Sequence, residues 1–195
     1  MTVRICMPRH KRKGTFVQIS EKQIYQARMF DLKAVKMRAP DGHEFQHEII
    51  FHPGAAVVIP HLGSDQFVLI RQYRTAVRKV IWEFPAGTLE RGEAPLACAK
   101  REIVEETGFE AGKWQKLGLL YPAPGISTEL MHIFLASELK PSKMSLDRDE
   151  FIQRKIVSFS RLQKMILSGR ITDGKTIAGF FYYSQKCKKG FRLRF

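Results

Sequence analysis

Four glutamates and an arginine, Glu93, Arg101, Glu102, Glu105 and Glu106, carry the chemistry that this chain advertises. Glu102 and Glu106 stand four apart and Glu102 and Glu105 three apart, so on a helix all three share a face. Carboxylates that close repel one another unless a cation sits among them. Oxygen ligands with room for water suit Mg²⁺ or Mn²⁺, whereas zinc would want His or Cys. Two or three such ions bridging a diphosphate would polarise phosphorus, neutralise developing charge and turn a bound water into a nucleophile. The ordinary alternative is a solvated acidic face balanced by Lys100 and Arg101. That alternative leaves the neighbouring residues unexplained. Glu83-Phe84-Pro85-Ala86-Gly87 reads as an apolar strand ending in a glycine turn that feeds the helix. Such a turn brings backbone carbonyls, that of Ala86 in particular, towards the carboxylates. Glu93 and Arg101 read as an orienting pair beneath the site rather than as catalysts.

The elements that must position these groups are legible. Ala94 to Thr107 reads as one helix, with Pro95 in its first turn and Gly108 as the left-handed residue past its end. Leu96, Ala99, Ile103 and Val104 supply its inward side. Before it, Thr15–Ser20, Gln26–Met37 and Glu44–Phe51 read as strands, the last two flanking the turn Ala39-Pro40-Asp41-Gly42. Longer apolar strands follow at Ala56–Pro60, Phe67–Tyr73 and Val80–Phe84. After the helix, strands are expected near Trp114–Tyr121, Met131–Ala136 and Phe151–Ser158. Ser160 with Gln163 makes a capping box for a helix to Leu167. A last helix starts at Thr172 or Asp173 and runs through Ser184, with Ile177, Phe180 and Phe181 as its buried side. The expected fold class is α/β: a mixed sheet with helices on both faces, an α/β/α sandwich, preceded by a small antiparallel β subdomain.

Gly87, Glu93, Arg101, Glu102, Glu105, Glu106 and Gly108 are seven identities at fixed offsets, a chance match on the order of 10⁻⁸ per starting position. Together they resemble the Nudix box, the signature of hydrolases that cut a nucleoside diphosphate linked to another group. The resemblance extends to Phe67-Val-Leu-Ile-Arg-Gln-Tyr-Arg74, to Glu83–Gly87, to Pro124-Gly125 with Glu129 four residues on, and to Asp173-Gly-Lys-Thr176. It covers roughly residues 15 to 185 and is to the ADP-ribose and nucleoside-diphosphate-sugar pyrophosphatase branch. Ala123-Pro124-Gly125 departs from the family's usual Ser-Pro-Gly by one hydroxyl.

This resemblance implies a metal set of Ala86, Glu102, Glu105, Glu106 and Glu150, holding Mg²⁺ with Mn²⁺ as a substitute. It implies that Arg74 contacts substrate phosphate, that Glu129 lies near the diphosphate and terminal sugar, and that Arg71 and Thr88 also bind substrate. Gly87, Glu93, Arg101 and Gly108 are the structural members of the box. The loop Leu146–Ile152 matches one that in relatives often carries the general base, with Glu150 the first choice and Glu106 the reserve. Where relatives often have another carboxylate, this chain has Arg148. The N-terminal β unit is implied to exchange with a partner subunit, giving a homodimer in which both subunits build each site.

Divided accordingly, the chain has a basic tail (1–14), a β subdomain (15–50), the hydrolase domain (51–185) and a second basic tail (186–195). Its 33 basic and 19 acidic residues give a net charge of +14, much of the excess lying in the tails. Those tails could touch nucleic acid weakly and without specificity; a positive field would equally favour a polyanionic substrate. Cys6, Cys98 and Cys187 have no metal or redox spacing, which favours free thiols in a reducing compartment. No apolar run approaches transmembrane length and no secretory signal is evident, so the expectation is a cytoplasmic protein without membrane contact.

The leading functional expectation is Mg²⁺-dependent hydrolysis of ADP-ribose or a nucleotide sugar to a nucleoside monophosphate and a sugar phosphate. A second keeps the chemistry and changes the substrate to GDP-mannose, NAD or a dinucleoside polyphosphate. A third, of another class, is a non-catalytic RNA-binding protein on the same scaffold. That reading would be expected to go with lost box glutamates, and here all four are present.

Overall fold

The computed structural model describes residues 15–143 and 151–187. The chain divides into two compact units, Met1–Phe51 and His52–Phe195.

In the first unit, β1 (Val17–Gln26), β2 (Asp31–Arg38) and β3 (Glu44–Phe51) form a three-stranded antiparallel sheet in sequence order. The β2–β3 hairpin closes at the expected turn, where the Gly42 amide donates to the Ala39 carbonyl (2.9 Å). The first strand is longer than the sequence suggests. Residues expected to open the second strand instead turn, with the Ala27 amide donating to the Phe30 carbonyl (2.9 Å). No Gly or Pro marks that turn, which is why the pattern conceals it. Every residue of β1 is exposed, including Val17, Ile19, Ile24 and Tyr25.

The second unit carries a seven-stranded mixed sheet. Its path runs β10 (Gln153–Ser158), β5 (Gln66–Arg74), β4 (Ala55–Gly63), β9 (Met131–Pro141), β8 (Phe109–Leu120), with β6 (Lys79–Glu83) on β5 and β7 (Ala86–Thr88) on β4. β4 and β9 are parallel, Ala55 facing Met131 through Pro60 facing Ala136. β4 reaches β5 only at its far end, around His61 and Gly63. At its near end the same edge of β4 takes β7, Ala55 facing Thr88 and Val57 facing Ala86. Residues 84–88 therefore occupy the place where the sheet would otherwise continue, fixed there also by the Val58 amide donating to the Pro85 carbonyl (2.9 Å).

Helix α1 (Pro95–Thr107) packs on one face of the sheet; α2 (Phe159–Leu167) and α3 (Gly174–Lys186) pack on the other. Strand alternation sorts the residues of β4 between two cores. Ala56 and Val58 join Cys98, Ala99 and Ile103 of α1. Val57 and Ile59 join Phe67, Leu69 and Phe84 beneath Leu162, Met165 and Tyr183 of the other helices. All four β4 residues are fully buried, so the strand reads as a continuous apolar run.

Two helix details differ from the sequence reading. The N-cap of α2 is Ser158, whose hydroxyl accepts from the Arg161 amide (3.2 Å), and Ser160 only meets that hydroxyl. On α3, Ile177 and Phe181 are exposed, while Thr176, Gly179 and Tyr183 face inward. The helix lies so near the sheet that a Cβ on Gly179 would stand 3.3 Å from the Phe84 ring, so that position takes a small residue, while Tyr183 and Phe180 pack on the core farther along.

Candidate active site

Pro95 occupies the first turn of α1, and Gly108 ends the helix at φ 63°, its amide donating to the Val104 carbonyl (2.8 Å). The face presented to β7 buries Glu102 and Glu106 beside Cys98, Ala99 and Ile103. Buried carboxylates need partners. For Glu106 one is the Ala86 amide, which donates at 2.9 Å. Glu102 lies against Gly87 so closely that a Cβ there would fall 1.6 Å from its Oε1. Only glycine allows that approach of strand to carboxylate.

Arg101 organises the rest. Its Nε and Nη2 donate to the two oxygens of Glu93 (3.1 and 3.0 Å) and its Nη2 also reaches the Thr88 carbonyl (3.3 Å). Its Nη1 donates to Glu102 (2.6 Å) and Glu105 (3.0 Å). Hydrogen bonding to Glu93 raises the guanidinium pKa further, and the same bond holds the Glu93 carboxyl below the ordinary carboxylate range. Burial pushes the Cys98 thiol up to about 12, so it is packing here, not a nucleophile.

Three glutamates share one arginine and a fourth, Glu106, sits beside them on the Ala86 amide, which leaves the cluster strongly negative. An all-oxygen donor set with excess negative charge fits a hard divalent cation. Among the described residues no three His, Cys, Asp or Glu side chains converge as a ready-made metal group. In this conformation the glutamates instead face Arg101 and the Ala86 amide. Glu150 lies outside the described residues, as do Asp147, Arg148 and Asp149.

Arg74 and Arg71 do not come together. Alternation along β5 puts Arg74 with Gln72 and Ile70, on the face where Glu83 also lies. Arg71 is on the other face, its guanidinium 5.7 Å from the Trp82 ring centre. Arg74 is gripped by Glu83 through two hydrogen bonds of 2.7 Å each. Thr88 faces Ala55, which in turn faces Met131, so the segment carrying Glu129 enters at the same end of β4 as the Gly87 turn. Glu129 itself is half-buried, 3.9 Å from Nδ1 of His52, with its amide donating to the Ser127 hydroxyl (3.1 Å).

Several residues of consequence escaped the sequence reading. Glu83 is fully buried at the end of β6, although it was read only as the start of a strand motif. Lys175 donates to it from α3, whose cap is Asp173, one of the two residues expected to start that helix, accepting from the Thr176 amide (3.0 Å). Arg154 of β10 donates to the Thr107 carbonyl, satisfying the last turn of α1. The available signals were a glutamate inside an apolar strand and an Asp-Gly-Lys-Thr run at a helix start.

The NUDIX domain family matches residues 50–180 of the chain. The chain belongs to the Nudix family. An ADP-ribose pyrophosphatase of Bacillus subtilis is 35% identical over 170 residues, covering 86% of this chain and 92% of that protein. A methanol dehydrogenase activator of Bacillus methanolicus is 35% identical over 166 residues, covering 84% and 90%. A GDP-mannose pyrophosphatase of Salmonella typhimurium is 35% identical over 133 residues, covering 64% and 69%. Among solved structures, an ADP compounds hydrolase superposes with a TM-score of 0.77 at 21% identity, covering 87% of this chain and 92% of that one. That superposition shows the α/β/α fold. The chain is thus a Nudix hydrolase, and none of its described helices is long and apolar enough to cross a membrane.

Proposed function

We propose that this Nudix hydrolase splits the diphosphate bond of ADP-ribose or a nucleoside diphosphate sugar, releasing a nucleoside monophosphate and a sugar phosphate. The observation that carries the reading is the buried pair Glu102, set against Gly87, and Glu106, on the Ala86 amide, in a cluster of four glutamates with one arginine. Glu102, Glu105 and Glu106 would hold Mg²⁺, or Mn²⁺ in its place, with the Ala86 carbonyl and Glu150 as further ligands on sequence grounds. A divalent ion there supplies Lewis acidity at phosphorus and lowers the pKa of a bound water.

The chain's own residues do the remaining work. Arg101 anchors on Glu93 and Thr88, so Glu102 and Glu105 can turn from its Nη1 to a metal while the guanidinium stays in place. The Ala86 amide orients Glu106. Arg74 offers positive charge to a phosphate oxygen, and Glu129 stands at the sugar side. Glu150 is the proposed base, taking a proton from the attacking water, with Glu106 in reserve.

The ADP-ribose pyrophosphatase supports this substrate because its match extends over 86% of the chain, whereas the GDP-mannose relative matches over 64%. A second reading, GDP-mannose, is favoured by Asp173-Gly-Lys-Thr176 and Thr128-Glu129-Leu130. A panel of ADP-ribose, GDP-mannose, NAD and diadenosine polyphosphates with Mg²⁺, products separated by chromatography, decides between them. ADP-ribose should be cleaved with the highest kcat/KM; preferential cleavage of GDP-mannose would replace the first reading with the second.

The working form proposed is a homodimer joined through the N-terminal sheet. Three strands are marginal alone, and β1 exposes Val17, with Phe16 just before it, at relative areas of 49% and 64%. Light scattering should give twice the chain mass, and a fully active monomer would refute the proposal. Cytoplasmic placement and weak nucleic-acid contact by the basic tails, which lie largely outside the described residues, complete the reading.

A further inference from the structure

The Glu83 carboxylate sits at the centre of a buried ionic chain that the hydrolytic scheme leaves unused. Its side chain is fully buried and takes three charged donors: Nε and Nη2 of Arg74 and Nζ of Lys175. Lys175, with 9% of its side chain exposed, also donates to Asp173 (3.0 Å). The other oxygen of Asp173 accepts from the amide and hydroxyl of Thr176 (3.0 and 2.6 Å). The circuit closes when the Phe84 amide donates to that hydroxyl (2.7 Å). The start of α3 is thereby tied to the two residues just before the Pro85–Gly87 turn.

A bidentate arginine alone would satisfy a carboxylate. Adding Lys175 does two further things. It holds Glu83 Oε2, the oxygen that also accepts from Arg74 Nη2, so the carboxylate gripping the guanidinium is itself anchored to α3. It also changes the local charge. Arg74, Glu83, Lys175 and Asp173 make two cations against two anions, so Lys175 leaves no net negative charge beside Arg74. The open end is Arg74, whose side chain is 41% exposed and whose Nη1 has no hydrogen-bond partner among the described residues. Arg74 also feels the charge of Glu106, which puts it within electrostatic reach of the glutamate cluster.

We propose that Lys175 is a positioning residue for Arg74: acting through Glu83, it aims the outer edge of the guanidinium at a diphosphate oxygen. This rests on the reading of Arg74 as a phosphate contact. Lys175 itself touches no substrate.

Calorimetric binding of ADP in EDTA, with melting temperatures recorded for each protein, tests the pair through Lys175→Met, Arg74→Ala and the double variant. Lys175→Met is expected to weaken ADP binding about tenfold, the range of one charge-assisted hydrogen bond. The double variant should bind no worse than Arg74→Ala alone. In turnover with Mg²⁺, KM should rise more than kcat falls. Equal weakening by Lys175→Met in both backgrounds would overturn the proposal, since Lys175 would then act independently of Arg74. A lowered melting temperature with unchanged ADP affinity would also overturn it, leaving only a structural latch. If Arg74→Ala binds ADP as the wild type does, the reading of Arg74 fails first, and that result stands apart from the other two. Should the methionine variant not fold, Lys175→Gln, which keeps a donor to Glu83 without the charge, carries the same test.

Discussion

Glu106→Gln is expected to lose hydrolytic activity by several orders of magnitude while melting at nearly the wild-type temperature. Glutamine is isosteric and keeps an oxygen to accept from the Ala86 amide, so the strand-to-helix contact survives. What it removes is one negative charge from a cluster in which acids outnumber the arginine. The divalent ion then loses a ligand that neutral oxygen cannot replace. Glu102→Gln should behave alike, since an amide oxygen still accepts from Arg101. Steady-state rates across a Mg²⁺ titration check this, and wild-type rates from Glu106→Gln at saturating Mg²⁺ would sink the assignment. EDTA should silence the wild type with little change in melting temperature, because Arg101 already ties the glutamates together. Glu150→Gln belongs in the same series. A loss of turnover with affinity retained marks a base, and rescue by added Mn²⁺ marks a ligand.

Glu83→Ala should bring the largest loss of stability, about 3 kcal/mol, or roughly 6–12 °C in melting temperature for a domain of this size. The change leaves Lys175 buried without its main acceptor and Arg74 without its bidentate partner. The figure sits at the lower end for a broken buried pair because Arg74 is partly exposed and can hydrate. Acidity provides a second readout. Burial alone would push the Glu83 carboxyl up, but hydrogen bonding and charge from Arg74 and Lys175 outweigh it and hold the group below its ordinary value of 4.5. A carboxyl lowered by folding stabilises the protein above that value, and the benefit fades as pH falls through the folded value. The advantage of the wild type over Glu83→Gln should thus be full at neutral pH and shrink below about 4.5. A difference in melting temperature that stays constant down to acid unfolding would contradict this.

The contrast between these two sites explains what the sequence could reveal. The box glutamates, Pro95 and Gly108 lie within one helix and its flanks, where spacing alone dictates which side chains meet. The alternation of β4 and the Asp41-Gly42 hairpin were legible for the same local reason. Glu83 and Lys175 stand 92 residues apart, and no periodicity links a glutamate in one strand to a lysine in the last helix. The inner face of α3 was misjudged because apolar character favours Ile177 and Phe181, while the observed spacing to Phe84 favours Gly179. Arg71 and Arg74 share one short motif, yet only the pleat tells that they leave on opposite sides of the sheet.

β4 gives Ala56 and Val58 to one core and Val57 and Ile59 to the other. A strand with two cores behaves as a shared keystone. Melting the α1 layer strips one set of its side chains, and melting the α2–α3 layer strips the other, so neither layer can open alone without loosening the partner across the sheet. The hydrolase unit should accordingly unfold as a single cooperative block, with the amides of β4 among its slowest to exchange with solvent.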